Sequence, residues 1–342
     1  MTKNWLGDIL FQIPALEALR ENFPGSEIFC AAPERCRQIL EAHPAVTGVL
    51  TFDEKKEHRF FPSRIFFGLA LRARKWDQAY LFHRSRTRAF LTWLAGARER
   101  IGYASGRKWF LTRAVEEPSR PLHQVDYFLE LLTHAGLKTA QGSCYRFYFS
   151  KADRAAARKL IETNGLEAFA CFHLGANWEP KRWPTAHFAE LADRISERSG
   201  LTVVLTGAAR DRVLGQEVLE RVRRARVVSL IGRTSLGELG ALYQQARFVV
   251  SGDSGPMHIA SGAGAPVVAL FGPTDPGLTG PRGTGRTIVL SHVPAGFKIP
   301  WYGETAPKDW LAGITPAQVS AALEEQDWFG KEPAASPVAG LR

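Results

Sequence analysis

Cysteine is scarce in this chain, with four among 342 residues. Cys30, Cys36, Cys144 and Cys171 stand at spacings that suit neither a disulfide framework nor a metal site, so free thiols in a reducing compartment are expected. Long hydrophobic runs are missing too; none approaches the ~18 residues that a membrane-spanning helix requires. The opening stretch MTKNWLGDILFQIP holds only a short apolar patch broken by Asp8 and Gln12, which argues against a secretory signal. Together these absences imply a cytoplasmic protein. Acidic residues are the minority, 34 against 44 basic, which leaves a net charge of +10. Such a surplus favours an anionic partner: nucleic acid, an acidic membrane face or a phosphorylated substrate. Nucleic acid is disfavoured because the arginines are spread along the chain and no recognised nucleic-acid motif occurs.

What is present reads as an ordinary globular chain, 45% hydrophobic and 23% charged. At this length two domains are expected, residues 1–150 and 151–330, with a disordered tail over 331–342. The pattern predicts helices over 9–23, 35–42 and 64–74, and strands over 28–31, 49–52 and 76–82. After a helix over 150–164 the rhythm restarts. Strands are predicted at 168–174, 202–206, 227–230, 248–251 and 267–271, with helices at 185–199, 211–223, 235–245 and 258–264. The later strands are short, continuous and rich in Val, Leu and Phe, as fully buried parallel strands are. The fold class is therefore α/β, two doubly wound Rossmann-like domains facing across a cleft, with ligands beyond the carboxyl ends of the strands. The stretch 282–310, rich in Gly and Pro, stays unassigned.

Three segments carry chemistry. In SGDSGPMHIA, residues 251–260, a strand ends and a helix begins near Pro256. Ser254 and Gly255 put backbone N–H groups at that helix start, where the dipole favours an anion such as a diphosphate. Asp253 suits sugar hydroxyls better than phosphate; the alternative reading of the turn is a plain helix cap, with Asp or Ser as the capping residue. His258 can meet a phosphate or pack within its helix. In FHLGANWEPKRWP, residues 172–184, Asn177 lies in a strand-exit loop, and Lys181 and Arg182 can neutralise a departing diphosphate or form a solvated basic loop. In NWLGDILF, Gly7 permits a tight turn, and Asp8 is either a cap or a general base. Asp211 of TGAARDR can touch the donor, and Thr234 is expected to cap the helix of GRTSLGELGAL.

Taken together, NWLGD, WDQAYLFHRSRTRAFLTWLAGARERIGY, GRTSLGELGALYQQARFVVSGDSGPMHIA and FGPTDP resemble glycosyltransferase family 9, the ADP-heptose:lipopolysaccharide heptosyltransferases, of the heptosyltransferase II kind. The resemblance spans nearly the whole chain and implies the GT-B fold. It implies that the N-terminal domain binds a lipid-linked anionic saccharide at the inner membrane and that the C-terminal domain binds ADP-L-glycero-D-manno-heptose. On that resemblance Asp8 is the catalytic base and Lys181 holds the donor phosphates. Asp253, Ser254 and Gly255 form the donor-binding turn, and Met257 and His258 continue it. The implied reaction is one inverting displacement, with no tightly bound cofactor and no metal, by a monomer in the cytoplasm or peripheral on the inner face of the inner membrane. Family members open with a strand ahead of the W-L-G-D turn; only Met1–Asn4 precede it here, so the first strand is expected to be missing or truncated. The alternatives are a family 9 transferase with another nucleotide-sugar donor and a GT-B-like nucleotide-sugar epimerase.

Overall fold

A computed structural model describes residues 1–293 and 310–329. The expected tail, 331–342, and much of the stretch 282–310 lie outside the described residues. The chain divides into two compact units, Met1–Tyr145 and a second from Arg146 onward.

The first unit holds α1 (Leu6–Phe11), α2 (Ile13–Asn22), β1 (Phe29–Ala32), α3 (Arg37–Glu41), β2 (Gly48–Thr51), α4 (Phe61–Arg72), β3 (Gln78–Leu81), α5 (Arg86–Leu94), β4 (Glu99–Tyr103), β5 (Arg113–Val115) and α6 (Gln124–His134). One helix was expected over 9–23, but two form, with Gln12 between them. Pro14 has no N–H to donate back to the carbonyl four residues earlier, so the hydrogen-bond ladder breaks there. β1 and β2 pair in parallel, and β3, β4 and β5 form a second parallel ladder. The chain start lies between them. The Thr2 N–H donates to the Ala31 carbonyl at 3.1 Å and the Phe82 N–H to the Met1 carbonyl at 3.2 Å. Beside this segment is a cavity of about 800 Å³, lined among others by Leu16, Ile28, Leu71, Trp76 and Tyr80. Sequence periodicity left β4, β5 and α6 unassigned. β4 carries two charges and a glycine, and β5 has three residues, two of them exposed.

The second unit holds α7 (Lys151–Thr163), β6 (Phe169–His173), α8 (Thr185–Ser199), β7 (Thr202–Thr206), α9 (Arg212–Arg221), β8 (Val227–Ser229), α10 (Leu236–Gln245), β9 (Val249–Gly252), α11 (Gly255–Gly262), β10 (Val267–Phe271), α12 (Pro276–Thr279), β11 (Thr287–Ser291) and α13 (Pro316–Glu325). Among the described residues its six strands are all parallel, in the spatial order β8-β7-β6-β9-β10-β11. This is the 3-2-1-4-5-6 order of doubly wound sheets. Every residue of β6, β7, β9 and β10 is buried, which is why these strands read as continuous apolar runs. Phe188, Leu191 and Ile195 of α8 join Phe172, Val203 and Leu270 in one core.

Capping chemistry sets several boundaries. Ser150 and Asp153 form a reciprocal capping box that starts α7, and Gly200 (φ +68°) ends α8 in the left-handed region, which glycine adopts without strain. Thr234 does not cap α10; Ser235 does. The Glu238 N–H donates to Ser235 Oγ at 3.2 Å and the Ser235 N–H to the Glu238 carboxylate at 2.7 Å. A box needs its acid three residues on, and three residues after Thr234 stands Gly237.

Candidate donor site and catalytic turn

Ligands of doubly wound sheets sit beyond the carboxyl ends of the strands, where the strand order reverses. In the second unit that point lies between β6 and β9. The loop after β6 brings Lys181 there, and the turn after β9 brings Asp253. The Lys181 ammonium donates to Asp253 Oδ2 at 2.5 Å, with the two side chains only 13% and 7% exposed. From the loop after β10, Thr274 Oγ1 donates to the same oxygen at 2.7 Å. His258 Nε2 lies 3.9 Å from Asp253 Oδ1. Three strand-end loops therefore converge on one nearly buried carboxylate. Gly252 makes this approach possible, since a Cβ there would stand 2.3 Å from the Lys181 carbonyl oxygen.

The turn itself is built to start a helix. Ser254 is the N-cap of α11; its hydroxyl accepts from the Met257 N–H at 3.4 Å and lies 3.1 Å from Ser251 Oγ. Gly255 opens the helix and Pro256 follows in the first turn, where its missing N–H costs no bond. Met257 and His258 are both buried, so Met257 packs in the core beneath the turn and His258 is the one that faces Asp253.

Three other expected site residues brace loops. Arg182 folds back, donating from Nε and Nη2 to the Ala176 carbonyl at 3.2 and 3.1 Å. Asn177 accepts from Arg210 Nη2 at 2.5 Å. Asp211 is 3% exposed and accepts from the Ala208 N–H at 2.8 Å. A Cβ at Gly175 would meet its Oδ2 at 2.3 Å, so this carboxylate is fitted against the loop after β6.

Sequence reasoning passed over His173, the last residue of β6. Its Nδ1 lies 3.2 Å from both Thr206 Oγ1 and the Tyr243 hydroxyl. Burial, aided by Arg210, pushes its pKa down to about 4, so the imidazole is neutral in the folded state at pH 7. Above about pH 6.5 both folded and unfolded forms are neutral and the residue adds no pH dependence. As pH falls from there towards 4, only the unfolded chain takes up the proton, so stability is lost, by about 3 kcal/mol in all. Urea denaturation should show that slope for the wild type and a flatter one for His173→Asn; equal slopes would contradict it.

Asp8 belongs to the first unit. It lies in the first turn of α1, whose N-cap is Trp5, so Asp8 is not the cap. The segment that leads into it is pinned. The Asn4 carbonyl accepts from Arg35 Nε and Nη2 at 3.1 and 2.8 Å, and Asn4 Oδ1 accepts from Arg88 Nη2 at 2.5 Å. Arg88 also donates to the Thr2 carbonyl and pairs with Glu54 at 3.1 Å, with its side chain 0% exposed. Burial pushes its guanidinium below the ordinary value, with Glu54 opposing. Trp5 is flanked by Arg35 and Lys55, 5.2 and 5.5 Å from its ring. Arg84, Arg86 and Arg88 follow one another at alternate positions and read alike as solvated, so Arg88 carried no signal of its burial. Replacing it by Met would leave Glu54, Thr2 and Asn4 without this donor, and should cost about 3 kcal/mol of stability by denaturant titration.

A six-stranded sheet of this order with a charged cluster at its reversal point, preceded by a second parallel α/β unit, matches the GT-B architecture. Residues 64–299 match glycosyltransferase family 9 (heptosyltransferase), and the chain belongs to that family. It is 28% identical over 337 residues to lipopolysaccharide heptosyltransferase 2 of Escherichia coli strain K12, covering 94% of this chain and 95% of that one. It is also 28% identical over 341 residues to lipooligosaccharide heptosyltransferase 2 of Haemophilus ducreyi, covering 94% and 97%. Among solved structures it is similar to a family 9 glycosyltransferase of Veillonella parvula, with TM-score 0.83 at 26% identity and 94% of each chain covered. The ADP-heptose lps heptosyltransferase II of E. coli superposes with TM-score 0.77 at 26% identity, covering 96% and 97%. Family membership makes the chain a glycosyltransferase and sets the epimerase reading aside.

Proposed function

We propose that this chain moves heptose from ADP-L-glycero-D-manno-heptose to the inner core of lipopolysaccharide, on a Kdo/heptose-lipid A acceptor, with inversion. What supports it is similarity along nearly the full length to relatives named heptosyltransferase 2, together with Lys181 held beside the first turn of α11. The acceptor hydroxyl oxygen attacks the anomeric carbon while its proton passes to Asp8. The bond from that carbon to the β-phosphate oxygen breaks, and ADP leaves with the electron pair. Lys181 and the N-terminal end of α11, at Ser254 and Gly255, stabilise the growing negative charge, a part that a resident divalent cation would otherwise take.

Asp253 orients Lys181 and accepts from sugar hydroxyls, with His258 beside it. Asn177, Arg182 and Asp211 hold the loops that frame the donor, and Met257 fixes the start of α11 from below. The chain works as a monomer in the cytoplasm, peripheral on the inner face of the inner membrane. The test is ADP release from ADP-heptose with and without a heptose-deficient core lipid, repeated with a chelator. Release that needs the acceptor and survives chelation supports the reading. Release with a different nucleotide sugar alone would reassign the donor, and release without acceptor would overturn the transfer step.

A further inference from the structure

The outer face of α4 is unlike that of a helix exposed to water. Pro62, Phe66, Leu69, Ala70 and Ala73 recur at helical spacing and are all exposed, so the stripe that should be polar is apolar throughout. Phe66 is 72% exposed and Leu69 44%. The inner face is accounted for separately: Phe67 packs on Phe52 with the rings tilted, and Gly68 lies against Leu91 and Leu94.

The apolar surface continues beyond the helix. Phe61 stacks on Phe90 at 6.3 Å, and Phe90 meets Trp93 at 5.8 Å and Phe110 at 5.6 Å. Trp109, next in the chain to Phe110, is 95% exposed. Contiguous exposed apolar surface of this kind marks an interaction face. Its charge surroundings say which. Residues 59–113 contain thirteen Lys or Arg against two Asp or Glu, and Arg59, Arg72, Arg74, Lys75 and Lys108 are exposed beside the aromatic positions. An apolar face edged by cations is how an interfacial helix sits in an anionic leaflet.

We propose that the outer face of α4, with Phe61, Trp93 and Trp109 beside it, is the surface by which this chain lies on an anionic phospholipid bilayer. This rests on the peripheral attachment proposed above and gives it residues. Rings and Leu69 enter the headgroup boundary, and the flanking arginines and lysines meet lipid phosphates. The acceptor's lipid anchor is in the same leaflet, so the first unit is held where that substrate is found.

The full chain is mixed with vesicles containing phosphatidylglycerol, or made of phosphatidylcholine alone, and floated on a density gradient. The wild type should float with the anionic vesicles, and binding should fall as salt is raised. Phe66→Ser with Leu69→Ser should weaken it about tenfold or more, and Arg72→Gln with Lys75→Gln about tenfold. Val213→Ser, at an exposed apolar position on α9, should float like the wild type. These vesicles carry no saccharide, so Asp8→Asn should also float whatever becomes of the transferase reading. No flotation of the wild type, or unchanged flotation of both double variants, would overturn the proposal. So would a dimer in sedimentation that Phe66→Ser with Leu69→Ser dissolves, since the face would then belong to a second copy.

Discussion

Asp8→Asn is expected to lower kcat for heptose transfer by about 10²- to 10⁴-fold, the span that a positioned general base contributes. The amide keeps the shape of the side chain and loses its proton affinity. The charge of an acid in the first turn of a helix is also worth about 0.3–1 kcal/mol through the dipole, and that contribution is lost with it. The segment before it, held by Arg35 and Arg88, does not use the Asp8 side chain in the bonds described above. The residues proposed to bind donor all belong to the second unit, so ADP affinity should be retained. Single-turnover ADP release and a binding titration separate these quantities. A variant with more than a tenth of wild-type kcat would remove Asp8 from the base role.

Lys181→Ala is expected to cost about 10²- to 10³-fold in kcat/KM, on the scale of losing one preorganised charge at a departing group. It carries a second penalty. Asp253, 7% exposed, would keep only Thr274 of the two donors described, a loss of about 1–3 kcal/mol in stability. The two effects can be pulled apart. Removing both partners in Lys181→Ala with Asp253→Ala should restore part of the stability and none of the activity. If the double variant regained activity as well, Lys181 would be a structural partner of Asp253 and nothing more. Lys181→Arg should not rescue: the planar guanidinium cannot occupy the position of a compact ammonium that meets Asp253 Oδ2 at 2.5 Å with its side chain only 13% exposed.

The sheet of the second unit was legible because its strands are buried on both faces and separated by well-punctuated helices. α8, β7 and β10 fall on the expected residues, with Gly200 as the stop signal for α8. The first unit was less legible where its strands are charged, as β4 is, or short and exposed, as β5 is. Motif reading drew attention to Lys181 and Asp253 separately. That they bond to each other, and that Thr274 joins them, depends on β6, β9 and β10 being neighbours in space, which spacing along the chain does not encode. His173 was invisible for a related reason: a histidine in an apolar strand gives no hint of the Thr206 and Tyr243 hydroxyls beside it. Asn177, Arg182 and Asp211 drew attention as polar residues near strand ends, and the bonds found for them run to neighbouring loops.

The uneven burial of tryptophan gives this molecule a native optical reporter. Trp109 is 95% exposed and Trp93 50%, while Trp183, Trp310 and Trp328 are 2–4% exposed. Red-edge emission and quenching by a soluble agent such as acrylamide will therefore be weighted towards the rim of α4 and α5, and the blue component towards the second unit. A collision partner that shields the rim should shift one component and leave the other alone. Unfolding should do the reverse, which allows the two events to be followed in one unlabelled sample.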